Sequence, residues 1–76
     1  MSFAKAVDLL RLAEMATARY GGASLPDIEA EFGVDRRTAQ RMTKALQRAF
    51  PQTETLVDPE RRKYWKIGAG DARMIL

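Results

Sequence analysis

Between residues 36 and 48 the chain places five cations, Arg36, Arg37, Arg41, Lys44 and Arg48, and no acid. Guanidinium and ammonium groups combine fixed positive charge with several N–H donors, which is chemistry suited to phosphate oxygens. On a helix of 3.6 residues per turn, Arg37, Gln40, Arg41 and Lys44 fall at i, i+3, i+4 and i+7 and share one face. Ala39, Met42, Leu46 and either Ala49 or Phe50 line the other face at amphipathic spacing. One face therefore buries, and the other offers donors. A second basic run holds Arg61, Arg62, Lys63 and Lys66. One such run alone reads as a solvated helix face, but two runs framing one motif read as a surface for a polyanion.

Other chemistries find no residues to carry them. The chain has 76 residues, a formal charge of +3, no Cys and no His, and a pI near 9.7. Disulfides, tetrahedral zinc sites and every nucleophile–His pair are thereby removed. Gly21-Gly22 and Gly68-Ala69-Gly70 lack the spacing and the Lys-Ser/Thr ending of a phosphate loop, and read as turns. Asp58 and Glu60 are the acids a small nuclease would need, but they stand in a turn beside Pro59 without a third ligand. No enzyme, metal or cofactor is expected. No apolar run approaches the ~20 residues of a membrane span, no signal-peptide pattern opens the chain, and the absence of Cys suits a reducing cytosol.

The elements that must position the cations follow from local signals. Ser24-Leu25-Pro26-Asp27 predicts a helix start, with Ser24 as N-cap, Pro26 in the first turn and Asp27 completing a capping box. Leu25, Ile28 and Phe32 point inward along this short helix, and Gly33 ends it in a left-handed cap. Val34 fills the corner, and Asp35 caps the basic helix at 36–49. Short helix, Gly-containing turn and basic helix make a helix-turn-helix. Glu29 stands where such motifs usually place a small residue, which predicts a looser or rotated crossing.

Around this motif the chain supplies a floor and a hairpin. Ser2 caps a first helix over about residues 3–20, with Phe3, Ala6, Val7, Leu9, Leu10, Leu12, Ala13, Ala16 and Tyr20 as a broad apolar stripe. A domain that buries only about 60% of its extended surface needs this helix as core and not as a dimer seam. Ala23-Ser24 run extended for two residues. After Pro51, residues 53–57 and 62–67 read as strands around the Asp58-Pro59-Glu60 turn. Trp65 and Ile67 are expected in the core, and the tip carries Arg61, Arg62 and Lys63. Residues 68–76 read as a linker or the start of a further element, as if the chain continued.

In this order the elements resemble the N-terminal winged helix of WYL-domain bacterial transcription regulators. The resemblance rests on Gly22-Ala23-Ser24-Leu25, on Gly33-Val34-Asp35-Arg36-Arg37-Thr38-Ala39-Gln40-Arg41-Met42 and on Arg62-Lys63-Tyr64-Trp65-Lys66-Ile67. It implies duplex DNA binding under the control of a C-terminal ligand-sensing domain, usually with dimerisation.

The fold class expected is α+β, a three-helix winged helix-turn-helix over residues 1–67 with a two-stranded hairpin wing. The function expected is sequence-specific binding of double-stranded DNA, as the binding domain of a transcription regulator. Helix 36–49 enters the major groove, with Arg36, Arg37, Gln40 and Arg41 on base edges. Thr38, Lys44, Arg48 and the wing's Arg61, Arg62 and Lys63 meet the backbone, the wing (58–66) reaching backbone or minor groove. The alternative is a protein-interaction module whose basic face meets an acidic partner. A bacterial cytoplasmic location on the nucleoid is expected, with the isolated chain a monomer and a homodimer possible in a longer parent chain.

Overall fold

The computed structural model of the protein describes residues 3–68. Along them run α1 (Phe3–Ala18), β1 (Ala23–Ser24), α2 (Leu25–Phe32), α3 (Arg36–Ala49), β2 (Glu54–Val57) and β3 (Lys63–Lys66). Three helices and a three-stranded antiparallel sheet of order β1-β3-β2 make a small α+β domain. The expected Ser2 cap and the linker from residue 69 onward lie outside the described residues, as does the Phe3 side chain.

Side-chain caps set the bounds of α2 and α3. Ser24 Oγ accepts from the Asp27 N–H at 3.3 Å, and Asp27 Oδ2 accepts from the Ser24 N–H at 3.1 Å, the reciprocal bonds of a capping box. Pro26 occupies the first turn, where a missing N–H leaves no intrahelical bond unmade. Gly33 ends α2 at φ 63° and ψ 40°, its N–H returning to the Glu29 carbonyl. Asp35 then caps α3, Oδ1 accepting from the Thr38 N–H at 2.8 Å. Both helices begin and end where the sequence predicts.

The buried stripe of α1 is narrower than its composition suggests. Leu12, Ala13 and Ala16 are buried, with Leu9 and Met15 half-buried beside them. Leu10 and Val7 lie roughly 100° and 160° round the helix from Leu9, and remain 55% and 40% exposed. Tyr20 does not close the stripe. It is 99% exposed, because α1 stops at Ala18 and the chain turns away before reaching it.

That turn depends on Gly22. Its φ is +84°, and a Cβ there would lie 2.6 Å from the Trp65 carbonyl oxygen, so no larger residue fits without displacing backbone. The close approach lets Ala23 pair with Trp65 and Ser24 with Tyr64. The extended Ala23-Ser24 stretch is thus a third strand, beyond the two-stranded hairpin expected. Two residues show no alternation, and their partner is far along the chain.

Within α3, Ala39, Thr43 and Leu46 are buried, and Phe50, not Ala49, fills the last inward position. Thr43 is absent from the face expected to bury. Its hydroxyl donates to the Gln40 carbonyl at 2.7 Å, so it enters the interior already satisfied. Leu12, Ile28, Leu46 and Ile67 are the largest fully buried side chains. Each helix contributes one, and the residue after β3 the fourth. Trp65, 7% exposed, joins them as the sequence predicts.

In the hairpin, β2 and β3 pair from Glu54 opposite Lys66 to Val57 opposite Lys63. The Arg61 N–H closes the turn on the Asp58 carbonyl at 2.9 Å. Asp58 Oδ1 also accepts from the Glu60 and Arg62 N–H groups at 2.9 and 2.8 Å. Arg61 itself has φ 67°, the left-handed position that a three-residue hairpin loop usually gives to glycine.

Candidate nucleic-acid interface

The exposed face of α3 carries Arg37, Gln40, Arg41, Lys44 and Arg48. Arg37, Arg41, Lys44 and Arg48 follow one another at steps of four, three and four, a stripe about 16 Å long at 1.5 Å per residue. Among the described residues these four cations have no acidic partner within ion-pair distance. Thr38 is half-buried at the start of the stripe, its N–H held by Asp35. That bond, reinforced by the Thr38 side chain and the nearby Arg41 charge, holds the Asp35 carboxyl below the usual carboxylate range.

Arg36 is placed differently from its neighbours. Its Nε lies 3.7 Å from Glu29 Oε2, across the turn between α2 and α3. Glu29, the unusual residue of the motif, therefore reaches from α2 across the turn to a cation at the start of α3. Arg36, Arg37, Gln40 and Arg41 are all exposed, and Arg36 lies one turn before Gln40 on the same side of α3.

Arg36 also lines a cleft that it shares with the hairpin. This open cleft of about 610 Å³ is lined by Ser24 to Asp27 at the start of α2. Arg36 at the start of α3 and Arg61, Arg62, Lys63 and Tyr64 of the hairpin line it as well. Arg62 lies 3.0 Å from Glu60 with both side chains exposed, an arrangement that contributes little stability. Arg61 and Lys63 have no acidic partner among the described residues. Asp58 is committed to the turn and accepts from the Tyr64 hydroxyl at 3.4 Å, so it organises the hairpin.

The other ion pairs lie on the side of α1 and α2. Arg11 lies 3.7 Å from Asp8 and 3.9 Å from Glu31, and 4.8 Å from the centre of the Phe32 ring. Arg19 lies 3.4 Å from Asp27. Partial burial opposes ionisation of Asp27, but hydrogen bonds with Ser24 and the Arg19 charge outweigh it and hold this carboxyl low. Acids outnumber cations on the α1–α2 side, so it stays net negative, while α3 and the hairpin tip keep their positive charge.

One cation of the second basic run is spent elsewhere. Lys66 Nζ donates to the Thr17 and Arg19 carbonyls at 3.1 and 2.6 Å, at the end of α1. Its place in the run gives no sign of this, because alternation along β3 only says that it lies on the face opposite Trp65. Among the described residues no group of three His, Cys, Asp or Glu side chains is placed to hold a metal ion. No helix there is long and apolar enough to cross a membrane. No model of a known protein family matches the chain, and neither does any curated protein.

Proposed function

We propose that this domain binds double-stranded DNA in a sequence-dependent way as a winged helix-turn-helix, the binding module of a transcription regulator at the bacterial nucleoid. Here α2 and α3 are the helix-turn-helix and β2–β3 the wing, with β1 completing the sheet. The observation that carries this reading is the stripe Arg37, Arg41, Lys44 and Arg48. These are four exposed cations on one helix face, without an acidic partner among the described residues. An α-helix fits the major groove, where Arg binds guanine O6 and N7 and Gln binds adenine N6 and N7. Arg37, Gln40 and Arg41 are the base-reading candidates, while Lys44 and Arg48 meet phosphates farther along. The resemblance to WYL-domain regulators points the same way.

Selection of binding sites from random duplex DNA by the 76-residue chain, followed by titration at several salt concentrations, tests the proposal. A preferred sequence should emerge. For about five phosphates neutralised, log K should fall against log salt with a slope near −4.5. A slope near zero, or equal affinity for all sequences, would overturn the reading.

A further inference from the structure

We propose that the cleft between the first turn of α2 and the hairpin clasps a single backbone phosphate of the bound duplex, with Arg36, Arg61 and Lys63 as its donors. The inference rests on the DNA-binding reading above and gives Arg36 a role apart from base readout.

Two separate parts of the chain bring their cations to this one recess, the start of α3 and the hairpin tip. The acid in its lining is Asp27, and that carboxylate is already engaged by the Ser24 N–H at 3.1 Å and by Arg19 at 3.4 Å. The same capping box satisfies the helix end internally. Attraction for an anion therefore comes from the lining side chains and not from the α2 terminus. Arg36 is available to supply it. Its contact with Glu29, at 3.7 Å, is too long for a hydrogen bond, so its planar fork of donors can turn to a phosphate without breaking one. Lys63 and Arg61 are exposed and without acidic partners among the described residues. Arg61 holds the left-handed position of the hairpin loop, which fixes where its side chain leaves the tip.

Phosphate suits this recess better than a base edge. Arg36 lines the cleft and directly precedes Arg37 at the start of α3, so a helix lying in a groove would bring the recess toward the rim, where the backbone runs. A free small anion is disfavoured, since the donors are exposed and each is screened by salt. A duplex delivers the phosphate at a fixed position and so overcomes that weakness.

The test is titration of a duplex carrying the selected site with wild type, Arg36→Ala, Lys63→Ala and the double variant. Both positions are exposed, and melting curves confirm that each variant folds. Arg36→Ala and Lys63→Ala should each weaken specific and random duplexes by the same factor, about eightfold at ~0.1 M salt for one phosphate. The salt slope should become shallower by about 0.9. Because both residues serve one phosphate, the double variant should lose far less than the product of the two factors. A neutral methylphosphonate placed along the duplex should, at one position, abolish the difference between wild type and Arg36→Ala. Multiplicative losses, or no such position, would overturn the clasp while leaving DNA binding intact. So would an Arg36→Ala protein that changes its preferred base without a change of slope. Failure of wild type to bind any duplex would overturn the DNA-binding reading, and the clasp with it.

Discussion

Lys66 Nζ donates to the Arg19 carbonyl at 2.6 Å and to the Thr17 carbonyl at 3.1 Å, so a cation from β3 closes the open end of α1. The last carbonyls of a helix have no intrahelical partner, and positive charge there also meets the negative end of its dipole. Lys66 and Lys63 stand three residues apart on one strand, yet they do different work. Lys66→Ala should cost about 1–2 kcal/mol in chemical denaturation and leave the salt dependence of DNA binding unchanged. Lys63→Ala should do the reverse. If Lys66→Ala flattens the salt slope and keeps full stability, this division of labour is wrong.

The contrast between these lysines also marks where sequence reasoning stops. Ser24, Pro26, Gly33 and Asp35 act on backbone groups within three or four residues. Their effect is therefore legible without a structure, and the bounds of α2 and α3 follow. The exposed face of α3 is legible too, because helical spacing alone decides it. Pairing of Ala23 with Trp65, the hold of Lys66 on α1 and the turn of Arg36 toward Glu29 and the cleft depend on tertiary placement. No local pattern encodes these. Tyr20 fails for a related reason: periodicity identifies a stripe but not the turn at which the helix ends.

Trp65 lies in the interior, 7% exposed, on a strand flanked by β1 and β2. Its removal should leave a cavity costing about 3–5 kcal/mol, a large part of the stability of any small domain. Trp65→Ala is therefore expected to melt far below wild type, or to be unfolded at room temperature, and Trp65→Phe to retain the fold. Were Trp65→Ala to melt normally and lose only DNA binding, the residue would be a stacking platform and not core.

Arg61 offers a separation of stability from binding. Its φ of 67° is one that glycine adopts freely and an L side chain resists. Arg61→Gly should raise stability by up to about 1 kcal/mol, read as a higher melting temperature. The same variant should bind DNA more weakly, having lost a donor at the hairpin tip. A lower melting temperature would mean that the Arg61 side chain stabilises the loop by more than its backbone conformation costs.

Stability should fall only on the acid side. Asp27 and Asp35 have carboxyls held below their ordinary value of 3.8 by hydrogen bonding and nearby Arg charge, against some desolvation. A depressed folded-state value means that the stabilisation is complete above the unfolded value and is lost as pH falls through the folded one. With no His in the chain, melting temperature should be level between about pH 5.5 and 8 and decline below about pH 4. Asp27→Asn with Asp35→Asn should flatten that acid limb, since Asn still accepts the cap hydrogen bonds. An unchanged limb in the double variant would assign acid sensitivity to other groups.

Reading and positioning should separate along α3 itself. Arg37 and Arg41 are exposed on one face, four residues and so about 6 Å apart along the axis, with Gln40 between them. That spacing lets the two guanidinium groups address neighbouring base pairs in the major groove. If they do, Arg37→Ala and Arg41→Ala should each cost about 1–3 kcal/mol at the preferred site and relax the preference at one or two positions. Lys44→Ala should instead weaken all sequences about equally and lower the salt slope by about 1, as loss of a phosphate contact does. Circular dichroism is needed alongside, because Arg41 also lies near the Asp35 cap. Should both Arg variants keep the wild-type ratio between specific and random duplexes, this face is an electrostatic anchor only. Specificity would then have to come from the hairpin or from the shape and deformability of the DNA.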